Sequence, residues 1–155
     1  MRNLLSVNPA YMQALQELVR DAPFPRLMGM RLEAIEIDSA KIVLNIDERH
    51  FQPFGIVHGG VLATLIDTAT FWAAFLRLPP DVGLVNIDLK LNYLQPARSG
   101  RLTATGRCIR PGRTLSYTEA HVHDARGELL AHGTSTLMAL PGRGIEAGMA
   151  KFVAD

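Results

Sequence analysis

Asp67 lies near the middle of the most apolar stretch of the chain, VHGGVLATLIDTATFWAAFLRL from Val57 to Leu78, nine residues after a His-Gly-Gly turn. An ionised carboxylate in such a segment either gives up its charge or finds compensating partners. A sequence that keeps one commonly uses its altered pKa or its desolvated nucleophilicity. On a helix, Gly60, Thr64, Asp67, Phe71 and Ala74 fall on one narrow stripe. The amides of Gly59 and Gly60 would open that helix, where unpaired N–H groups and the positive dipole end favour a developing oxyanion. A turn of this kind and a carboxylate able to attack a carbonyl or deprotonate water together suit hydrolysis of an acyl compound. Eight residues of helix separate Gly59 from Asp67, a rise of roughly 12 Å at about 1.5 Å per residue. One carbonyl cannot touch both within a single chain. The spacing therefore predicts a site shared across a two-fold interface, with the turn of one subunit facing Asp67 of another.

Other side chains can be weighed against this pair. His58, beside the tight turn, is expected to fix the backbone by hydrogen bonding, and Phe71, next to Asp67 on the stripe, to line a pocket. His121 and His123 share one face of a strand, as metal ligands can. No third ligand is apparent beside them, so no metal is expected, and His132 reads as an ordinary strand residue. Cys108 is the only cysteine, which excludes an internal disulfide and a cysteine-based metal cluster.

The chain has 155 residues, 48% hydrophobic and 20% charged, which fits one compact domain with a real core. A net charge of +1 gives no reason to invoke nucleic acid, although the charge is unevenly placed. No acidic residue occurs from Leu89 to Thr118, a segment holding Lys90, Arg98, Arg101, Arg107, Arg110 and Arg113. That asymmetry favours a small polyanionic ligand such as a nucleotide phosphate. Asp67 at the centre of the apolar stretch, and the glycines that open it, argue for a buried helix over a membrane span. The N-terminus lacks a secretory pattern, so a cytoplasmic location is expected.

The elements that must position these groups follow from periodicity. Pro9 to Arg20 has helical spacing, with Asn8 and Pro9 suited to start it, and the prolines within Ala22 to Pro25 are expected to end it. Met30 to Ile37 and Lys41 to Ile46 read as strands joined by a turn near Asp38 and Ser39. After a loop around Gln52, Pro53 and Gly55 comes the long helix, stopped by Pro79 and Pro80. Leu84 to Leu94, Leu102 to Ile109, Thr114 to His123 and Leu129 to Leu140 read as strands separated by turns. A helix that is apolar nearly all round must be wrapped. One curved antiparallel sheet of six strands does so, an α+β fold with an additional N-terminal helix. A single domain over residues 1–140 is expected, with 141–155 a loosely held tail.

The run Gln52 to Phe71, QPFGIVHGGVLATLIDTATF, resembles the signature of the hot-dog fold acyl-CoA thioesterases of the phenylacetic-acid-pathway (PaaI-like) type. The segments from Val85 to Gly100, GRTLSY and GELLAHGTSTLM continue the resemblance, which spans Met28 to Leu140. It implies Asp67 as nucleophile or general base and the Gly59 amide as donor to the thioester carbonyl. Gln52 falls where the family places an Asn or Gln near the carbonyl or leaving group. Asn86 falls where relatives often carry a Ser or Thr that positions water, a departure from the pattern. The resemblance further implies that the pantetheine arm lies between subunits and that basic residues near strand ends hold the nucleotide phosphates. Arg110 and Arg113 are the preferred candidates, with His58, Gly60 and Phe71 completing the substrate-binding set. The expected function is hydrolysis of an acyl-CoA or aryl-CoA thioester by a homodimer or dimer of dimers, without cofactor. A hot-dog dehydratase using His50 on β-hydroxyacyl thioesters and a non-catalytic acyl-CoA binding module are the alternatives.

Overall fold

A computed structural model describes residues 5–154. A short strand β1 (Leu5–Val7) precedes helix α1 (Pro9–Asp21), whose Asn8 cap accepts the Ala10 N–H at 3.0 Å. Asn supplies the side-chain oxygen that an open helix start needs, and Pro9 gives up an N–H that would have had no helical acceptor. Tyr11, Leu15 and Val19 recur at helical spacing and are buried with Met30, Leu32 and Ile35. The prolines that follow end α1 but also start a second short helix, α2 (Pro23–Met28). In a first turn proline costs no hydrogen bond, and Gly29, with φ of 70°, closes the element.

Strands β2 (Met30–Glu36) and β3 (Ser39–Asn45) form a hairpin turned at Asp38, whose φ is 65°. The central helix α3 spans Gly59–Phe75, and the rest of the chain builds β4 (Val82–Asn86), β5 (Lys90–Tyr93), β6 (Arg101–Arg110), β7 (Leu115–His123) and β8 (Leu129–Pro141). The sheet is antiparallel throughout and ordered β2-β3-β6-β7-β8-β4, with β5 also pairing to β8. The single strand expected over Leu84–Leu94 is thus two, pairing with different halves of β8. Between them the chain leaves the ladder, because Ile87 donates to the Thr136 carbonyl at 2.9 Å and the Asp88 carboxylate takes the Thr136 N–H at 2.7 Å. Seven strands stand where six were expected.

Ten of the 17 residues of α3 are buried, among them Leu65, Ile66, Ala69 and Phe75. Each large side chain of this kind contributes on the order of 1.5–3 kcal/mol by leaving water. The helix lies directly on β6, where a Cβ at Gly106 would fall 2.1 Å from the Ala69 carbonyl oxygen. What is left less buried is one stripe of α3, Gly59, Gly60, Ala63, Thr64, Asp67, Thr68 and Phe71. Among the described residues, no helix is long and apolar enough to cross a membrane.

The segment beyond β8, expected to be loosely held, is tied down at several points. Gly144 donates to the Asp81 carbonyl at 3.1 Å, and the buried Lys151 donates to the Leu78 carbonyl at 2.8 Å with its ammonium 4.5 Å over the Phe75 ring. A last strand β9 (Phe152–Ala154) then pairs antiparallel with β1.

Candidate active site

The turn that starts α3 is built by the residues before it. Gln52 donates its N–H to the Ile56 carbonyl at 2.9 Å and accepts from Gly55 N–H at 3.0 Å, closing a small loop, and a bridge from Phe51 to Val57 seals its base. The Gln52 side-chain oxygen accepts the Phe54 N–H at 2.7 Å, so the amide nitrogen is the end that remains for other partners. His58 is the N-cap: its Nδ1 accepts the Gly60 N–H at 2.8 Å, and its carbonyl accepts from Val61 at 2.9 Å. A Cβ at Gly60 would fall 2.9 Å from that Nδ1, so glycine is what lets the imidazole reach back over the first turn.

With Gly60 and Val61 engaged, the Gly59 N–H meets no acceptor among the described residues. It opens at the positive end of a 17-residue helix. Gly59 and Gln52 line one cavity of about 420 Å³ with Val57, Leu62, Tyr93 and Pro96. Tyr93 was not singled out from the sequence, yet its ring lies against Gly59. A Cβ there would come within 2.9 Å of the ring Cζ and 3.1 Å of the hydroxyl. In the sequence Tyr93 shows only its place near the end of what reads as one continuous strand, and that gives no register against the turn.

Asp67 lies on the less buried stripe of α3, and burial alone pushes its carboxyl above the ordinary carboxylate range. Nothing among the described residues offsets that desolvation with a hydrogen bond or a charge. Its main-chain carbonyl is held firmly, accepting from Thr70 Oγ1 at 2.8 Å and from the Asn86 side-chain amide at 3.3 Å. Asn86 also donates to Thr70 Oγ1 at 3.1 Å and Ser135 Oγ at 2.9 Å. These bonds tie β4 and β8 to the turn of α3 that carries Asp67. Phe71, one turn further on, stacks with Phe75 at 5.9 Å between ring centroids.

Helix α3 is unbroken from Gly59 to Phe75, so about 12 Å of rise does separate the free amide from Asp67. Within one chain the fold groups Gln52, His58, Gly59 and Gly60 at one end of the helix and Asp67, Phe71 and Asn86 two turns away. Arg110 and Arg113 are exposed around the β6–β7 turn, free of ion pairs among the described residues and outside the Gly59 cavity. His50, which a dehydratase would need, is 1% exposed; its Nδ1 accepts from Asp47 N–H at 2.9 Å and its Nε2 lies 2.8 Å from the Met28 carbonyl. Both ring nitrogens are committed to holding the loop.

Residues 54–131 match the family model of the thioesterase superfamily. The chain belongs to that superfamily. Thioesterase PA1618 of Pseudomonas aeruginosa is 32% identical over 120 residues, 76% of this chain and 83% of its own length. The crystal structure of a glutamine-to-alanine mutant of that protein superposes with a TM-score of 0.75. Thioesterase HI1161 of Haemophilus influenzae superposes with a TM-score of 0.80 at 26% identity, covering 94% of this chain and 100% of that one. The 1,4-dihydroxy-2-naphthoyl-CoA hydrolase of Listeria monocytogenes is 28% identical over 110 residues, 71% of this chain and 89% of its own. As a member of the thioesterase superfamily the chain has the hot-dog arrangement expected from its sequence, a central helix packed against an antiparallel sheet.

Proposed function

We propose that the protein hydrolyses an acyl-CoA or aryl-CoA thioester to the free acid and CoA, in a site made by two copies of the chain. The observation that carries this is the pairing of an unengaged Gly59 N–H at a helix start with an uncompensated, half-buried Asp67 carboxylate on the same helix. The first is a donor aimed at a developing oxyanion. The second is a base strengthened by desolvation, or a nucleophile poorly stabilised by solvent.

In this mechanism the thioester carbonyl oxygen accepts from Gly59 of one subunit, with the Gln52 amide beside it. Asp67 of the other subunit either takes a proton from the water that attacks the carbonyl carbon, or attacks that carbon itself to form a mixed anhydride, which a water then hydrolyses to the free acid with return of the Asp67 carboxylate. On either route the first attack on that carbon breaks the carbon–sulfur bond and CoA leaves as the thiolate, which is protonated by solvent. Asn86 supports the Asp67 backbone, and Phe71 and Tyr93 bound the acyl end. Arg110 and Arg113 supply cations for the nucleotide phosphates. The half-buried stripe around Asp67 is the face that a second subunit covers, and dimers of dimers and a cytoplasmic location complete the reading. Support for CoA as the carrier comes from the Listeria relative, a CoA-thioester hydrolase.

The test is thiol release over a panel of aryl and aliphatic CoA thioesters, with Asp67→Asn as control. Turnover of at least one thioester is expected, and its loss in the variant. Equal turnover by the variant would overturn the assignment of Asp67.

A further inference from the structure

Three of the five histidines of the chain, His121, His123 and His132, lie on the face of the sheet turned away from α3. Along β7 the residues Ser116, Thr118, Ala120 and Val122 are buried inward, so Glu119, His121 and His123 point the other way. In the sequence, His121 and His123 make a pair without a third donor. The register of the sheet makes a different set. His121 stands directly opposite His132 on β8, with ring centroids 4.5 Å apart, whereas His121 and His123 are 6.3 Å apart. Glu119, two residues before His121 on the same face, brings its Oε2 to 3.4 Å from His132 Nε2. One donor atom from each of Glu119, His121 and His132 lies within 4.8 Å of the other two.

We infer that Glu119, His121 and His132 form a binding site for a divalent cation of the zinc class on the outer face of the sheet. Two imidazole nitrogens and one carboxylate oxygen are the donors that suit zinc, and they leave a fourth position for water. Calcium and magnesium, which demand six or more oxygens, are not served by this set. Ligands about 2.0–2.2 Å from a tetrahedral ion stand a little over 3 Å from one another, so modest rotation of three half-buried side chains brings the donors in. Their backbones are already fixed by the β7–β8 ladder.

The carboxylate is also oriented as a ligand carboxylate commonly is. Arg107 on β6 takes its Oε1, with Nε at 3.0 Å and a terminal nitrogen at 2.9 Å, which leaves Oε2 turned toward the imidazoles. Such an outer partner holds a ligand in place. Its positive charge also opposes the ion, so a micromolar affinity is expected rather than a nanomolar one. The face is distinct from the proposed acyl site, since the whole thickness of the sheet lies between it and α3.

The experiment is calorimetric titration of EDTA-treated full-length protein with Zn²⁺ at neutral pH, repeated on His121→Ala, His132→Ala, Glu119→Gln and His123→Ala, each checked for its thermal midpoint. The expected result is one Zn²⁺ per chain, with affinity weakened about tenfold or more in the first three variants and left within about threefold in His123→Ala. Zinc should also raise the thermal midpoint of the wild type and not that of His132→Ala. His132→Asn replaces His132→Ala should the alanine protein fail to fold. Absence of micromolar Zn²⁺ binding by the wild type would overturn the site, as would equal binding by the ligand variants.

Discussion

The ring of Tyr93 covers Gly59, so close that a Cβ on that glycine would sit 2.9 Å from the ring. The donor proposed for the oxyanion therefore has an aromatic neighbour on an exposed, movable side chain, with Tyr93 58% exposed. Gly59→Ala should push the ring aside at little cost in stability while intruding where the carbonyl must approach. A fall in kcat/KM of about a hundredfold is expected, at the lower end of the effect of losing one oxyanion-hole donor. Steady-state kinetics beside thermal melting of the same protein will separate the two effects.

Replacing Asp67 by Asn should trade activity for stability. Burial raises the Asp67 pKa in the folded chain, so between the ordinary carboxylate value and that raised value the folded protein holds more protons than the unfolded one. Stability therefore falls as pH rises through this window, and a neutral side chain removes the loss. The Asn protein should melt higher at neutral pH, on a scale of about 2–4 °C per kcal/mol, and the gain should vanish in acid. Calorimetry at two pH values checks it. The wild-type rate should conversely decline in acid through a pKa above the usual carboxylate range.

Cys108 is a buried thiol that burial, above all, pushes up to about 11. Since the thiolate is the reactive form, modification of the native protein at pH 8 should be on the order of a hundredfold slower than that of an ordinary cysteine. Mild denaturation should restore the normal rate in a thiol-colour assay. Rapid labelling of the native protein would show the β6 site to be open.

Lys151 holds the final segment against the core through the Leu78 carbonyl and the Phe75 ring. Lys151→Ala should cost about 1–2 kcal/mol from the lost hydrogen bond and cation–π contact, read as a lower denaturant midpoint. Burial lowers the Lys151 pKa. The unfolded chain thus holds the extra proton between the lowered value and the ordinary lysine value, and the wild type should gain stability relative to the variant as pH rises through that window.

How much of this was legible follows the range of the forces involved. Helix α3 and strands β6 to β8 are written in local periodicity, and so was the distance between Gly59 and Asp67. The break between β4 and β5 was not, because it depends on Asp88 and Ile87 bonding to Thr136, a partner some fifty residues away with no local signature. Helix α2 was hidden because its prolines read as stops, although in a first turn they serve as starts. The anchoring of the last segment rests on Lys151, whose burial no neighbouring residue announces. Among the candidate site residues, the cap at His58 and the glycines beside it were readable from type and spacing. The contacts of Tyr93 with Gly59, and of Glu119 and His121 with His132, required the register of the sheet.

The pairing of Leu5 with Ala154 brings the two described ends of the chain side by side. A short flexible linker could join them covalently, and the chain could then be reopened at the exposed Asp124–Gly127 turn between β7 and β8. Such a circular permutant would keep α3 and both halves of the proposed acyl site in one uninterrupted stretch, while β8 would begin the chain and β7 would end it.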